Sequence, residues 1–233
     1  MRPSEEMLAI SVEWLTQAAR HMHLFKHEWL GERFFHLPSD MVALQEILNS
    51  VRPRTVVHTG IAAGGGPIFL ASILELLGGD SKVLAIDPAP RDEGVRAIEN
   101  HAFGKRVEIV TCSSTSPNAA DAVASRVQEN PGPVVLILDL IHTQKHVLGE
   151  LTNLTPFVSP GSYAVVLDTI MEYMPTKMFE GRPYGKGNNP ATAVRAFLKA
   201  DKTFEVDHSI EDRLLMTLAP GGFLKRRPNQ HDL

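Results

Sequence analysis

The residues with the clearest capacity for chemistry follow the first apolar strand that the sequence predicts. Residues 56–67 read VVHTGIAAGGGP, an apolar run that leads into a loop of glycine and alanine. Gly60, Gly64 and Gly65 allow tight turns and a close approach of the backbone to a ligand, and the next helix can offer its N-terminal N–H groups. The spacing is not G-x-G-x-x-G, so the usual dinucleotide fingerprint is absent. The stretch predicts a loop for a nucleotide-like ligand, and a strand–helix turn without a ligand is the alternative.

Acidic and hydroxyl side chains follow the next two predicted strands. Asp87 ends the second strand in LAIDP, roughly 20 residues after the glycines, where an acid can accept hydrogen bonds from both hydroxyls of a ribose. Its alternative role is to cap the next turn. Ser113 and Ser114 follow the third strand, where the adenine of a bound nucleoside would lie, although such clusters also occur in ordinary loops.

A histidine and two carboxylates follow the fourth and fifth predicted strands. Asp139 ends VVLILD, His142 lies just beyond it, and Asp168 ends SYAVVLD. A histidine side chain ordinarily has a pKa of about 6.5, which suits removal of a proton near neutral pH. We therefore predict that His142 is a general base, with Asp139 orienting it, binding substrate or holding a metal ion. A solvated or hydrogen-bonded loop histidine is the alternative.

Alternating strand and helix patterns must position these residues. Several strands are near-continuous runs of Val, Ile and Leu, which is typical of strands buried on both faces of a parallel sheet. FEVDHS and RLLMTLAP then predict two final strands joined without a helix, so that the last strand is antiparallel. The fold class is therefore α/β, a Rossmann-like, seven-stranded, mostly parallel sheet. Its first five strands are RTVVHTG, KVLAIDP, RVEIVTC, VVLILDL and SYAVVLDT.

Two helices are predicted upstream of this sheet. The first begins after Ser4 as N-cap, and its apolar residues recur at roughly helical spacing as far as Trp29. The second, LPSDMVALQEILNSV, is expected to be capped near Ser39. The chain then divides into a helical segment at 1–52, a ligand-binding domain at 53–227 and a polar tail at 228–233.

The composition narrows the classes of partner. A formal net charge of −4 gives no reason to expect a nucleic acid partner. The sequence contains no run of about 20 apolar residues, so it predicts no membrane span, and no apolar signal segment is evident. A single cysteine, Cys112, allows no internal disulfide, which fits a cytoplasmic protein.

Beyond the glycine loop, the motifs HVLGEL, GNNPATAV and APGGFLKR follow one another in a specific order. With these motifs the chain resembles the cephalosporin hydroxylase / rhamnosyl O-methyltransferase family across roughly residues 28–227. The resemblance implies a class I methyltransferase fold, S-adenosylmethionine (SAM) as cofactor, and a small-molecule hydroxyl, often in a natural product or sugar, as methyl acceptor. It also implies a homo-oligomer. The residues expected to bind SAM are His58, Gly60, Gly64, Gly65, Asp87, Ser113, Ser114 and Asp139.

The sequence departs from the family pattern at charged positions. The family usually has Glu-Thr-Gly where this chain has His58-Thr59-Gly60, and Glu-Asp-Thr where it has Leu167-Asp168-Thr169. It also usually has Asp-Ser-x-His after the fourth strand, where this chain has Asp139-Leu140-Ile141-His142. In members that bind a divalent metal three carboxylates carry the ion, and Asp139 and Asp168 match two of them. A Mg²⁺ ion on these two residues is therefore an open prediction. A SAM-binding protein that catalyses cyclisation or elimination, or only binds a ligand, is the second functional hypothesis, and a nicotinamide-dependent reductase is disfavoured.

The loop from Ile170 to Asn189 is long for a compact domain and is typical of a lid or binding loop. Its apolar residues, among them Tyr173, Met174 and Tyr184, could form a wall for an acceptor. Packing against a neighbouring subunit is the alternative.

Overall fold

A seven-stranded sheet forms the centre of the molecule in the computed structural model, which describes residues 4–228. The strands lie in the order β5-β4-β3-β6-β7-β9-β8. β3 pairs in parallel with β4 and β6, whereas β9 is antiparallel to both β7 and β8. The expected fold class, with its antiparallel last strand, is confirmed. The strands are β3 (Thr55–Thr59), β4 (Lys82–Ile86), β5 (Val107–Val110), β6 (Val134–Leu138), β7 (Tyr163–Val166), β8 (Phe204–Val206) and β9 (Phe223–Arg226).

Helices cover both faces of this sheet. Successive residues of a strand point to opposite faces, so Val56 of β3 joins one buried cluster and Val57 joins another. The first cluster includes residues of α2, α3 and α8, and the second includes residues of α5, α6 and α7. The helices are α1 (Glu5–Arg20), α2 (Pro38–Val51), α3 (Gly65–Leu77), α4 (Asp92–Asn100), α5 (Pro117–Glu129), α6 (Gln144–Leu154), α7 (Pro190–Ala200) and α8 (His208–Leu214).

The prediction for the end of the chain was wrong in one element. RLLMTLAP is not a strand, since its first residues complete α8 and the rest form a loop before β9. Asp207 begins α8 by accepting a hydrogen bond from the backbone N–H of Ser209, and Leu215 ends it with a φ of 61°. The last strand is FLKR, which lies inside the APGGFLKR motif.

The prediction of one long N-terminal helix reaching Trp29 was also wrong. Ser4 is the N-cap as expected, because its hydroxyl accepts a hydrogen bond from the N–H of Met7, but α1 ends at Arg20. Met22 has a φ of 54°, which ends the helical path. A 3₁₀ turn and a short hairpin follow, formed by β1 (Glu28–Trp29) and β2 (Glu32–Arg33).

The second upstream helix exists, but Ser39 does not cap it. Leu37 occupies the N-cap position of α2, and the Ser39 hydroxyl donates to the carbonyl of Met216 instead. The division at residue 52 stays a prediction, and most of the predicted tail at 228–233 lies outside the described residues. Within residues 4–228, none of the helices has the length and apolar character needed to cross a membrane.

Candidate active site

The loops that follow β3 and β6 meet at the carboxyl edge of the sheet. These two strands are neighbours where the strand order reverses, which is the position where open α/β sheets bind ligands. Gly60 has a φ of 92°, and a Cβ atom there would lie 2.2 Å from the carbonyl oxygen of Asp139. The N–H of Asp139 donates to the hydroxyl of Thr59 at 3.2 Å. Only glycine therefore fits at position 60.

The glycines at the start of α3 serve contacts within the protein. Gly64 is the N-cap of this helix, with a φ of 94°. A Cβ atom on Gly65 would lie 2.2 Å from the carbonyl oxygen of Arg33, so the β1–β2 hairpin region lies directly against the loop. Part of the glycine signal in the sequence thus reflects close packing of two backbones.

Asp87 lies beside this loop, as the sequence predicts. Its side chain is buried, and its two oxygens accept hydrogen bonds from the N–H groups of Ile61 at 3.0 Å and Ala89 at 2.9 Å. Asp87 therefore fixes the glycine-rich loop and caps the turn after β4. Its contact with a ribose remains a prediction.

The two serines after β5 form different contacts. The Ser113 hydroxyl lies 3.0 Å from that of Thr115. Ser114 is fully buried, and its hydroxyl lies 3.1 Å from Nε2 of His146, which is also 3.5 Å from a carboxylate oxygen of Glu150. Ser114 is thus held inside the fold, and Ser113 is the more accessible of the two.

The structure brings a second histidine, His36, to the site beside His58. Nε2 of His36 lies 3.4 Å from Oδ2 of Asp139, and both imidazoles are buried. Burial lowers the pKa of His36 to about 3 and that of His58 to about 4, so both rings are neutral at pH 7. The sequence analysis missed His36, because a lone histidine in FFHLP, ahead of a helix, matches no motif.

Asp139 lies among other acids. Burial is the largest cause that raises the pKa of its carboxyl group well above the usual range, and the carboxylates of Asp168 and Glu150 add to this effect. Leu167 has an apolar side chain that is buried in the core, so it supplies no third metal ligand. Asp168 is thus close enough to act on Asp139 electrostatically, and a Mg²⁺ ion held by the two carboxylates stays a prediction.

The predicted base, His142, has a carboxylate partner. Its Nδ1 lies 3.5 Å from Oδ2 of Asp168, and each side chain is about one quarter exposed, at 22% and 24%. Asp168 has a φ of 60° and begins the 3₁₀ turn Thr169–Glu172. The structure therefore places Asp168, rather than Asp139, next to His142. The ring of Tyr184 meets that of His142 edge-on, with centroids 5.2 Å apart.

The long loop is anchored by one carboxylate. Glu172 accepts hydrogen bonds from the N–H of Gly187 at 2.9 Å and from the side chain of Asn189 at 2.5 Å, and it pairs with Arg195. Of the predicted wall residues, Tyr184 reaches His142, whereas Met174 packs into an apolar cluster with α1.

A large apolar cavity of about 720 Å³ lies between α1, the start of this loop and α8. Its lining includes Val12, Ile170 and Leu215, but not His142 or the glycine-rich loop. Its volume falls within the range of ligand pockets. The residues that could perform chemistry do not line this cavity, so we do not place the active site there.

A family model described as Rhamnosyl O-methyltransferase/CmcI matches residues 21–227. The chain belongs to this family. It is 30% identical to a rhamnosyl O-methyltransferase of Mycobacterium tuberculosis over 226 residues, which is 97% of this chain and 87% of that protein. The corresponding protein of Mycobacterium leprae is 30% identical over 200 residues, or 85% of this chain and 82% of that one.

Solved structures of the same family share the fold. The structure described as CmcI-N160 apo has a TM-score of 0.63 and 17% identity, covering 88% of this chain and 78% of that one. The structure described as cmcI-D160 Mg-SAM has a TM-score of 0.60 and 16% identity, covering 87% and 77%. The expected family, the methyltransferase fold and the class of enzyme are confirmed.

Proposed function

We propose that this member of the rhamnosyl O-methyltransferase/CmcI family transfers the methyl group of SAM to a hydroxyl of a small molecule, a sugar or a natural product. The observation that carries the proposal is the His142–Asp168 pair at the carboxyl edge of the sheet. Curated relatives named rhamnosyl O-methyltransferase make a rhamnoside the first acceptor to test.

SAM, when bound, supplies a methyl group on a positively charged sulfur. Gly60, Asp87 and Ser113 are the residues of this chain that we expect to hold it, along the loops after β3, β4 and β5. Asp87 already keeps the glycine-rich loop in place through Ile61. We also propose that His58 lies near the amino-acid end of SAM, where it offers a neutral ring and no fixed negative charge.

The protein's own contribution is to position the acceptor and to remove its proton. Nδ1 of His142 faces Asp168, so Nε2 is the nitrogen left to accept the proton of the acceptor hydroxyl. The carboxylate of Asp168 then stabilises the imidazolium ion that forms and holds the ring in one orientation. Tyr184 restricts the same ring from its edge. A Mg²⁺ ion on Asp139 and Asp168 stays a prediction, with positive charge beside the acceptor oxygen as its contribution.

The test is to incubate the purified chain with SAM and a panel of acceptors, and to follow S-adenosylhomocysteine by mass spectrometry. The panel contains rhamnosides, other deoxysugar glycosides and phenolic natural products, each with Mg²⁺ and with EDTA. Turnover that needs an acceptor and falls in the His142→Ala variant is the expected result. Failure of calorimetry to detect SAM binding would contradict the proposal.

The second candidate function is SAM-dependent chemistry without methyl transfer, or ligand binding alone. It is favoured by two departures from the family pattern, His58 and Leu167. SAM binding without turnover across the whole panel would support it.

We also propose that the chain works in the cytoplasm as a homo-oligomer. Helix α1 exposes several large apolar side chains, among them Leu8 at 48% and Ile10 at 63%. Large exposed apolar groups on one element are typical of an interaction surface. Light scattering after size-exclusion chromatography measures the oligomeric state, and a monomer at micromolar concentration would contradict the proposal.

A further inference from the structure

His36, His58 and Asp139 converge beneath the glycine-rich loop, and we call them the histidine cluster. One donor atom from each of the three lies within 4.8 Å of the other two. The three residues come from separate parts of the chain, namely the segment before α2, strand β3 and the loop after β6. The proposed methyl transfer gives His58 and Asp139 separate roles and gives His36 none, so it does not explain why all three meet.

We propose that the histidine cluster binds a divalent transition-metal ion of the Zn²⁺ or Fe²⁺ type. Two imidazoles and one carboxylate are a ligand set that suits these metals, whereas Mg²⁺ prefers oxygen ligands alone. This site differs from the Mg²⁺ position predicted on Asp139 and Asp168, because it adds two nitrogen ligands to Asp139 and does not use Asp168. It also goes beyond the proposed function.

The spacing within the cluster fits a single ion. Metal–ligand bonds of about 2.1 Å at tetrahedral angles separate neighbouring ligand atoms by about 3.4 Å. Nε2 of His36 and Oδ2 of Asp139 are already 3.4 Å apart. Binding of one ion would require the His58 ring to approach these two atoms, since the ligand atoms of the cluster lie within 4.8 Å of one another.

A glycine borders the space between the ligands. A Cβ atom on Gly66 would lie 3.4 Å from Nε2 of His58 and 4.0 Å from Nε2 of His36. A cavity of about 20 Å³, lined by all three cluster residues and by Gly66, lies at this point. That volume accommodates one ion or one water molecule.

The surroundings of the cluster also suit a metal ion. Both imidazoles are buried, and an imidazole nitrogen is a common ligand of these metals. The ring of His58 lies against the backbone of Gly60, and its Nδ1 is buried without a well-formed hydrogen bond within residues 4–228. In the same described region the only ion-pair partner of Asp139 is His36, and Arg33, which also lines the cavity, pairs with Glu93 instead.

The experiment is a metal titration of the untagged, full-length protein after treatment with EDTA and removal of the chelator. Zn²⁺ is titrated by calorimetry, and Co²⁺ serves as a probe whose visible spectrum reports nitrogen and oxygen ligands. We expect one ion per chain, insensitive to millimolar Mg²⁺. His36→Ala and His58→Ala should each weaken binding by at least about 10-fold, since even loss of an outer-shell partner costs that much.

Two controls locate the site. His23→Ala removes an exposed histidine elsewhere and should leave the affinity unchanged. His58→Glu replaces a nitrogen ligand by oxygen, so it should bind Zn²⁺ more tightly than His58→Ala and change the Co²⁺ spectrum. It also provides a second reading should His58→Ala fail to fold, which circular dichroism would show.

The proposal is overturned if the wild-type chain does not bind Zn²⁺ or Co²⁺, or if both cluster variants retain wild-type affinity. It is also overturned if Asp168→Asn abolishes binding while His36→Ala and His58→Ala do not, because the ion would then lie at the Asp139–Asp168 position. Failure of methyl transfer would leave the metal-site proposal unaffected, since the titration needs neither SAM nor an acceptor.

Discussion

Asp40 is a fully buried acid that should make the stability of this protein depend on pH. It lies on α2 and accepts hydrogen bonds from the hydroxyl of Thr217 and, at 2.9 Å, from the N–H of Leu218. Burial raises the pKa of Asp40 from 3.8 to about 7, despite these two hydrogen bonds, and nearby Asp168 contributes in the same direction. The folded protein therefore holds a proton on Asp40 at pH values where the unfolded chain has lost it.

The sign and size of the effect follow from linkage. A carboxyl group with a raised folded-state pKa contributes stability that is fully present below pH 3.8 and is lost as the pH rises through about 7. Each unit of difference between the folded-state and unfolded-state pKa is worth about 1.4 kcal/mol, so the complete effect on the free energy of unfolding is about 4 kcal/mol. Between pH 5 and pH 8, Asp40 should remove about 2.5 kcal/mol from the free energy of unfolding.

The assay compares wild type with Asp40→Asn by urea unfolding at pH 5, 6, 7 and 8, followed by tryptophan fluorescence, with EDTA present. Asparagine keeps the shape but loses one acceptor, which costs about 1–3 kcal/mol at every pH. The advantage of the wild type over the variant should therefore shrink by about 2.5 kcal/mol from pH 5 to pH 8.

Comparing wild type with Asp40→Asn at each pH separates the contribution of Asp40 to stability from that of the two buried histidines. The lowered pKa values of His36 and His58 act in the opposite direction: their contribution is present above pH 6.5 and is lost as the pH falls through about 4 and 3. This contribution is common to wild type and variant, so it cancels in their difference. Asp121→Asn, which removes an exposed charge from α5, is the matched control. Parallel stability curves for wild type and Asp40→Asn would refute the reasoning.

Two further predictions concern the active site. A strained φ alone costs about 1–3 kcal/mol. Gly60→Ala should destabilise the fold by more than this, because the alanine Cβ would overlap the carbonyl oxygen of Asp139. Gly161→Ala, with a φ of 78° and open space around it, measures the φ cost alone in the same unfolding assay, and equal losses would contradict the overlap. Once an acceptor is known, His142→Ala should lower kcat by about 10²–10⁴-fold. Asp168→Asn should lower it less, and the double variant should be no worse than His142→Ala; additive losses would show that the two side chains act separately.

The sequence predicted the sheet well because its strands are local, strongly apolar and separated by clear helix patterns. It failed where the direction of the chain depends on single backbone angles. Met22 and Leu215 each adopt a positive φ, which is rare for such residues and leaves no mark in a hydrophobic pattern. The 3₁₀ turn and hairpin after α1, and helix α8 before β9, were missed for this reason.

The site was predictable only as a set of strand ends. The sequence placed Asp139, His142 and Asp168 at one edge, but it could not show which carboxylate faces which histidine. That pairing depends on the left-handed conformation of Asp168 and on the close contact between Gly60 and Asp139. His36 reaches the edge through the β1–β2 hairpin region, whose position against the glycine loop is a tertiary contact with no sequence signature.

Three carboxylates near the carboxyl edge of the sheet share one electrostatic feature. Each of three carboxylates faces a histidine: Asp139 faces His36, Asp168 faces His142, and Glu150 faces His146. Within residues 4–228, none of the three forms an ion pair with lysine or arginine. A permanent cation would fix the charge of the site, whereas an imidazole can be neutral or charged. The raised pKa of Asp139 shows that negative charge at this edge is unfavourable until a cation arrives. A sulfonium cofactor, an imidazolium formed by proton transfer and a metal ion in the histidine cluster are all cations. An edge whose carboxylates face histidines therefore favours each of these cations by the same electrostatic means.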